Sequence, residues 1–167
     1  MSKEEGWPRE PTYSELRALT FLSIVHGAEG IFFFTYKGGS YYIRDSADNW
    51  NNLKKVVFQL NEIKQWLPLQ PNTEDTNLII TSPFQSDANG LPAIHYAISK
   101  KKDQILLVAV NVIDRPVSIK LVGLSATSYP LEVLFENRRV AVVDGILRDS
   151  FQPYETHIYY SKELAEK

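Results

Sequence analysis

The sequence predicts an α+β protein, in which a helix–strand–helix segment over residues 1–71 precedes an antiparallel β-sandwich over residues 72–167. Before residue 68, two stretches carry apolar residues at every third or fourth position, which is the period of an amphipathic helix. From residue 77 onward apolar and polar residues alternate, and turn signals separate about eight short strands. Pro68 and Pro71 lie between the two patterns and indicate a linker.

The composition narrows the class of protein. The chain has 167 residues, a formal net charge of -2 and 44% hydrophobic residues, which is typical of a globular protein. A charge so close to zero predicts no nucleic-acid partner and no binding to an acidic membrane. The absence of cysteine excludes disulfides and thiolate chemistry, and no apolar run approaches the roughly 18 residues of a membrane span. The composition does not indicate a compartment.

The first helix has recognisable start and stop signals. Thr12 and Glu15 have the spacing of a capping box, in which each side chain bonds the backbone N–H of the other residue. Leucine and isoleucine then recur to about Val25, and Gly27 is placed to end the helix. These signals predict a helix over 13–25 with one buried side.

The second helix is predicted to begin near residues 46–49 and to end before Pro68. Gln59 and Glu62 fall outside its apolar stripe and are expected to face water. The stripe itself consists of Trp50, Leu53, Val57, Leu60, Ile63 and Leu67.

Between these helices, the aromatic run over residues 31–36 predicts a strand buried on both faces, as in a parallel sheet. In the C-terminal part the predicted strands cover residues 77–81, 94–99, 104–112, 117–121, 131–135, 140–143, 146–151 and 154–160. The lysines at 100–102 fall between two of them and indicate a solvated hairpin turn.

Three passages together resemble the end of a (β/α)8-barrel glycoside hydrolase. The run "PTYSELRALTFLSIVHGAEGIFFFTY" resembles the last helix–strand passage of such a barrel, and "DNWNNLKKVVFQLNEIKQWLPLQ" resembles the eighth barrel helix. The runs "ILLVAVNVIDRPVSIKL" and "VVDGILRDSFQPYETHIYY" are similar to strands of the C-terminal β-sandwich that follows the barrel in these enzymes. The resemblance covers nearly the whole chain and rests on the order of the motifs. It implies that residues 1–71 are a barrel remnant and that residues 31–36 correspond to barrel strand eight.

The resemblance implies carbohydrate as the partner and places the loop after strand eight on the active face. Tyr36 stands where such enzymes often place an aromatic that stacks on a sugar, and Lys37, Tyr41 and Tyr42 follow it. These four residues are the predicted substrate-binding residues. Aromatic rings suit this role because their faces contact the apolar faces of sugars while hydroxyl groups and nearby cations form hydrogen bonds.

No catalytic residue is predicted. Glycoside hydrolysis needs two carboxyl groups about 5–9.5 Å apart, and the resemblance implies that both lie on earlier barrel strands. The sequence therefore leaves the enzyme question open. His26, His95 and His157 lack metal-ligand spacing, so neither a metal nor a cofactor is predicted. His26 is expected to lie at a helix C-terminus, and the other two at surface or half-buried strand positions.

Three functional hypotheses follow. The first is a non-catalytic C-terminal portion of a glycoside hydrolase, with an accessory β-sandwich and carbohydrate contact. The second is a free-standing carbohydrate-binding or protein-interaction module, and the third is a structural domain that mediates assembly. A solitary apolar strand at 31–36 would expose two edges, so we also expect a homo-oligomer, contact with the remainder of a barrel, or a packing unlike the barrel.

Overall fold

The computed structural model describes residues 9–39, 41–71, 76–101, 104–124 and 129–161, with backbone alone at positions 41, 70 and 71. Helices and an antiparallel sheet are both present, which confirms the α+β class. The helices are α1, Tyr13–Val25, and α2, Ala47–Ile63, with short 3-10 helices at Ile43–Asp45 and Lys64–Trp66. None of the described helices has the length and apolarity needed to cross a membrane.

The start and end of α1 follow the predicted signals. The backbone N–H of Glu15 donates to the Thr12 hydroxyl at 3.3 Å, and the N–H of Thr12 donates to the Glu15 carboxylate at 2.8 Å. Arg9 also donates to that carboxylate. Gly27 follows the helix with φ +88°, a conformation that glycine adopts without strain. The capping box thus satisfies two backbone donors that a helix start leaves unpaired.

The buried face of α2 differs from the predicted stripe. Val56, Gln59 and Ile63 are buried, whereas Val57 is 38% exposed. The prediction that Gln59 faces water is therefore wrong. Its amide accepts a hydrogen bond from Arg17 at 2.8 Å and donates to the Tyr13 hydroxyl at 2.9 Å. A buried glutamine is tolerated here because both ends of its amide have partners.

The described strands form two antiparallel sheets. A two-stranded sheet contains β1, Lys37–Gly38, and β2, Tyr41–Tyr42. The other strands are β3 Gln70–Pro71, β4 Asn77–Ile80, β5 Ile94–Lys101, β6 Gln104–Asn111, β7 Val117–Val122, β8 Tyr129–Val133, β9 Arg138–Val143, β10 Ile146–Phe151 and β11 Thr156–Tyr160. They form one nine-stranded sheet in the order β3-β5-β6-β11-β8-β9-β10-β7-β4. The eight predicted strands of the C-terminal part correspond to β4–β11.

The large sheet curls around a single apolar core. Side chains from both ends of the strand order meet in it, including Ile98 of β5 and Ile119 of β7, with Leu78 of β4 packed against them. Leu131 and Phe151, from strands between those ends, are fully buried in the same core. The predicted sandwich is therefore a continuous sheet that folds back on itself, and its inner face is the core.

A second core joins the helices to the outer face of β5, β6 and β11. Phe21 and Ile24 of α1 pack with Val108 of β6 and Ile158 of β11, and all four are almost completely buried. The central strands are thus covered on both faces, which is why β6 is a nearly continuous apolar run. The last two residues of the predicted N-terminal segment, Gln70 and Pro71, pair with β5. The C-terminal side of the predicted boundary, residues 72–75, lies outside the described residues.

The structure contradicts the predicted strand over residues 31–36. Residues 31–35 form no strand, and the side chains of Phe32 and Phe34 are 99% and 72% exposed. A parallel strand gains its hydrogen bonds and its burial from neighbouring strands. No described strand pairs with this segment, so the prediction that it is buried on both faces is wrong.

Candidate functional site

The predicted substrate-binding residues lie around the small β1–β2 hairpin. The hydroxyl groups of Tyr36 and Tyr42 are 2.9 Å apart, and their rings meet edge to face with centroids 5.2 Å apart. Lys37 is exposed at the start of β1. The side chain of Tyr41 lies outside the described part of the structure.

Two residues outside the four predicted substrate-binding residues complete this group. Trp50, on the first turn of α2, has its ring centroid 6.0 Å from that of Tyr36. The guanidinium of Arg44 lies 6.0 Å from the Trp50 ring and also hydrogen-bonds to the two tyrosine hydroxyls. We call Tyr36, Tyr42, Arg44 and Trp50 the aromatic cluster. The sequence signal for Trp50 was its position in the helical stripe, which indicated packing rather than a surface site.

The hydrogen bonds in the aromatic cluster shift the pKa values of the two tyrosines in opposite directions. Hydrogen bonds from Tyr42 and Arg44 lower the pKa of Tyr36, whereas the hydrogen bond to Tyr36 raises the pKa of Tyr42. Tyr36 is 51% exposed. The cluster therefore presents an accessible aromatic ring beside the Arg44 cation, an arrangement that can stack on a ring and bond its hydroxyl groups.

A small apolar pocket of about 170 Å³ lies beside this cluster. Phe33, Phe34 and Tyr36 contribute aromatic side chains to it, and Ile43 of the first 3-10 helix and Leu53 of α2 also line it. The aromatic run over 31–36 thus forms part of an open surface.

The C-terminal strands hold a separate, buried polar group around His157. This residue is 1% exposed, so the prediction of a surface or half-buried position is wrong. Its ring stacks on Phe151 at 4.1 Å, and its nitrogens lie 3.2 Å from carboxylate oxygens of Asp149 and Glu155. Arg138 bridges Asp149 and Glu136 at 2.9 and 2.8 Å. We call these charged residues and Tyr159 the His157 cluster.

The carboxylate of Asp149 in the His157 cluster is held in the ionised form. Burial raises the pKa of Asp149, but hydrogen bonds from His157, Arg138 and Tyr159 outweigh that effect and bring it below its ordinary value. Burial and the neighbouring Asp149 raise the pKa of Tyr159. A general acid of a glycosidase needs a raised carboxyl pKa, so Asp149 is suited to an ion-pair network and not to that role.

The other histidines form a pair between the helix layer and β5. His26 Nε2 lies 2.9 Å from His95 Nδ1. Burial and then the charge of His26 lower the pKa of His95. Among the described residues, no group of three or more His, Cys, Asp or Glu side chains could hold a metal ion.

The sequence matches no protein-family model and no curated protein. Solved structures do share its fold. The chain is similar to the noncanonic maltogenic alpha-amylase AmyB from Thermotoga neapolitana, with a TM-score of 0.52 and 9% identity over 90% of this chain. It is similar to AmyP in complex with maltose, with a TM-score of 0.52 and 13% identity over 96% of this chain. In each case it spans 37% of the other protein. The chain therefore has a fold found in glycoside hydrolases.

Proposed function

We propose that this chain is a non-catalytic C-terminal portion of a glycoside hydrolase that contacts carbohydrate through the aromatic cluster. The observation that carries the proposal is a fold likeness to two amylases over 90% and 96% of the chain. The exposed ring of Tyr36 beside Arg44 and Trp50 supports the carbohydrate contact. Tyr42 orients the Tyr36 hydroxyl, and Lys37 adds a second cation at the rim.

The non-catalytic part of the proposal rests on the described carboxylates. Glu15 is used in the capping box, and Asp149 is ion-paired with a lowered pKa. Neither environment produces the raised pKa that a glycosidase acid requires. We expect no turnover of aryl glycosides by the purified chain. Reproducible turnover that is lost on replacing one carboxylate would overturn this part.

Maltose is the first probe for the carbohydrate contact, because one fold neighbour is described in complex with it. We expect maltose or another neutral oligosaccharide to shift the amide resonances of residues around Tyr36 and Trp50. Tyr36→Ala should weaken that binding by about tenfold or more, because truncation of an aromatic anchor at a binding surface commonly costs about 2 kcal/mol or more. Phe84→Ala is the matched control, since Phe84 is 47% exposed but lies in the β domain. Equal losses in both variants would refute a specific role for Tyr36.

A protein contact at residues 31–36 is a second candidate role, favoured by the exposure of Phe32 and Phe34. We propose that this surface is covered by the remainder of a hydrolase barrel, as the resemblance of the segment to barrel strand eight implies. Large exposed aromatic patches commonly mark contact surfaces. Sedimentation velocity distinguishes this role from contact with a second copy of the chain. A concentration-dependent dimer that Phe32→Ser dissociates would identify a second copy as the partner instead.

A further inference from the structure

A second pocket, of about 180 Å³, lies on another face of the helix layer. It is enclosed by α1, α2, the turn after β8 and the loop before β11, and it shares no lining residue with the pocket beside Tyr36. Its polar side chains come from Arg17, Gln59, Glu136, Glu155 and Thr156. We call it the Arg17 pocket.

Three buried side-chain atoms of this pocket lack a hydrogen-bond partner within the described part of the chain. They are Nη2 of Arg17, Oε1 of Glu136 and Oγ1 of Thr156, and all three residues line the pocket. Buried polar atoms in folded proteins nearly always have a partner. The three atoms offer one donor, one acceptor and one hydroxyl that can do either. Because all three belong to side chains that line one pocket, its wall carries unused hydrogen-bonding capacity of both kinds, which suits a group with several hydroxyls.

The donor of this pocket is held in a fixed position. Arg17 Nε donates to Gln59 at 2.8 Å, and Arg17 Nη1 donates to the backbone carbonyl of Thr156. Gln59 is fixed in turn by its bond to the Tyr13 hydroxyl at 2.9 Å. The Arg17 side chain is only 8% exposed. Because these contacts already restrict the guanidinium, a ligand would lose little free energy in ordering it.

Aromatic residues form the rest of the pocket. Tyr13, Phe135 and Tyr154 line it, and Phe135 is 41% exposed at the mouth. Phe135 and Tyr154 have φ angles of +70° and +55°, which are uncommon for bulky side chains and tend to occur at functional sites. Beyond Phe135 the surface continues to Phe58, whose ring centroid lies 6.2 Å from that of Phe135. The pocket therefore opens beside a pair of exposed aromatic rings, Phe135 and Phe58.

Charge and size restrict the class of ligand. The Arg17 guanidinium lies 4.0 Å from Glu136 Oε1, and Glu155 also lines the pocket. An anion would meet two carboxylates and a cation would meet Arg17, whereas neutral hydroxyl groups can bond to both. A cavity of about 150 Å³ accommodates a six-membered carbon ring, so a pocket of about 180 Å³ has room for one sugar ring.

We propose that the Arg17 pocket binds one pyranose unit of a neutral saccharide. Hydroxyl groups of the sugar accept from Arg17 and donate to Glu136, Thr156 Oγ1 bonds a third hydroxyl, and the aromatic residues contact the ring faces. This site is independent of the aromatic cluster and of any catalytic role of the chain.

The test is a titration of the full chain with glucose, galactose, mannose, xylose, maltose and cellobiose, followed through backbone amide resonances. At least one sugar should shift the amides of Tyr13, Glu136 and Thr156 in a saturable way. Thr156→Val removes the unpartnered hydroxyl and keeps the shape of the side chain. It should weaken binding by about tenfold, as expected for one lost hydrogen bond.

A second variant, which blocks the pocket from an exposed position, distinguishes a loss of binding from a loss of folding. Ser14 is exposed at the pocket, so Ser14→Trp should close it without removing a described contact and should abolish binding there. Ser23→Trp is the control, because Ser23 is exposed on α1 nine residues away, which is the opposite side of a helix. Both variants should keep the wild-type dispersion of resonances.

Two results would overturn the proposal. One is the absence of saturable shifts with every sugar, and the other is shifts at this pocket that Ser14→Trp and Thr156→Val leave unchanged. Shifts confined to residues near Tyr36 would support the aromatic cluster while refuting the Arg17 pocket. Shifts confined to the Arg17 pocket would support that pocket while refuting the aromatic cluster. The two sites are therefore tested separately.

Discussion

The His157 cluster and the aromatic segment at residues 31–36 use similar side chains in opposite environments. Phe151 and Tyr159 are fully buried, and they pack on His157 within a paired sheet. Phe32, by contrast, is 99% exposed in a segment that pairs with no described strand. The difference is in the partners that the fold supplies. The sheet closes its own core, while the aromatic segment leaves side chains exposed to solvent.

The largest predicted effect concerns the second core, in which α1 packs on the sheet. Phe21 is completely buried in the core between α1 and the sheet, and Phe21→Ala should lower the free energy of unfolding by about 3–5 kcal/mol. Leu19→Ala, on the exposed side of the same helix at 48% exposure, should change it by about 0.5 kcal/mol or less. Urea denaturation followed by circular dichroism measures both. Equal effects would mean that α1 does not pack on the sheet as described.

The second largest predicted effect concerns the buried hydrogen bonds of Asp149 in the His157 cluster. Asp149→Asn should lower the free energy of unfolding by about 2–3 kcal/mol at neutral pH, because Arg138 and Tyr159 lose a charged acceptor. The lowered pKa of Asp149 means that the stabilisation is present above its ordinary value of 3.8 and is lost as the pH falls further. The difference between the two proteins should therefore shrink in acid. Asp144→Asn, on an exposed turn, is the control and should leave the free energy of unfolding almost unchanged at every pH tested.

A smaller effect is expected at the start of α1. Glu15→Ala removes the return bond of the capping box and should cost about 1 kcal/mol. Hydrogen bonds from Arg9 and from the Thr12 backbone lower the pKa of Glu15 from 4.5 to about 2. Its stabilising effect should thus be complete above pH 4.5 and disappear as the pH falls through 2. Thermal unfolding of Glu15→Ala and of the wild type between pH 2 and pH 4.5 measures this contribution, and Glu29→Gln, at an exposed position after α1, is the control. A difference between Glu15→Ala and the wild type that stays constant with pH would contradict the prediction.

The smallest effect sharpens the contrast at the aromatic segment. Phe32→Ser should change the free energy of unfolding by no more than about 0.5 kcal/mol, because the side chain buries almost no surface within this chain. Chemical denaturation of the variant and of the wild type is the measurement. A loss of several kcal/mol would show that Phe32 is packed against this chain, and the comparison with the His157 cluster would no longer hold.

Much of the fold was predictable because its signals are local. The capping box of Thr12 and Glu15, the turn at Gly27 and the alternation in β7 each depend on a few neighbouring residues. The eight C-terminal strands follow from the same period of two. Tyr36 and Tyr42 were both predicted as substrate-binding residues on the resemblance, and the structure brings their hydroxyl groups within 2.9 Å of each other. Whether they bind sugar is still a prediction.

The errors came from contacts between distant parts of the chain. Gln59 is buried because Arg17, 42 residues away in sequence, requires an acceptor beneath α1. The burial of His157 is tolerated because Arg138 and Asp149 lie within hydrogen-bonding distance of its ring nitrogens. The aromatic run at 31–36 was assigned to a strand from its composition, but a parallel strand exists only when neighbouring strands are present. Trp50 was missed as a site residue because a helical stripe does not show which of its members meet the β1–β2 hairpin.

The sequence by itself determined the two helices, the order of the eight C-terminal strands and the alternation that supplies a core, because these depend on short-range backbone preferences and on the burial of apolar side chains. Only the tertiary structure decided which polar groups are enclosed and which aromatic groups stay open to solvent. The Arg17 pocket is an example, since its lining comes from two helices and two loops and includes Arg17 and Thr156, which are 139 residues apart in sequence. The physical reason is that a buried charge is tolerated only when distant partners meet it, and those partners are brought together by the fold.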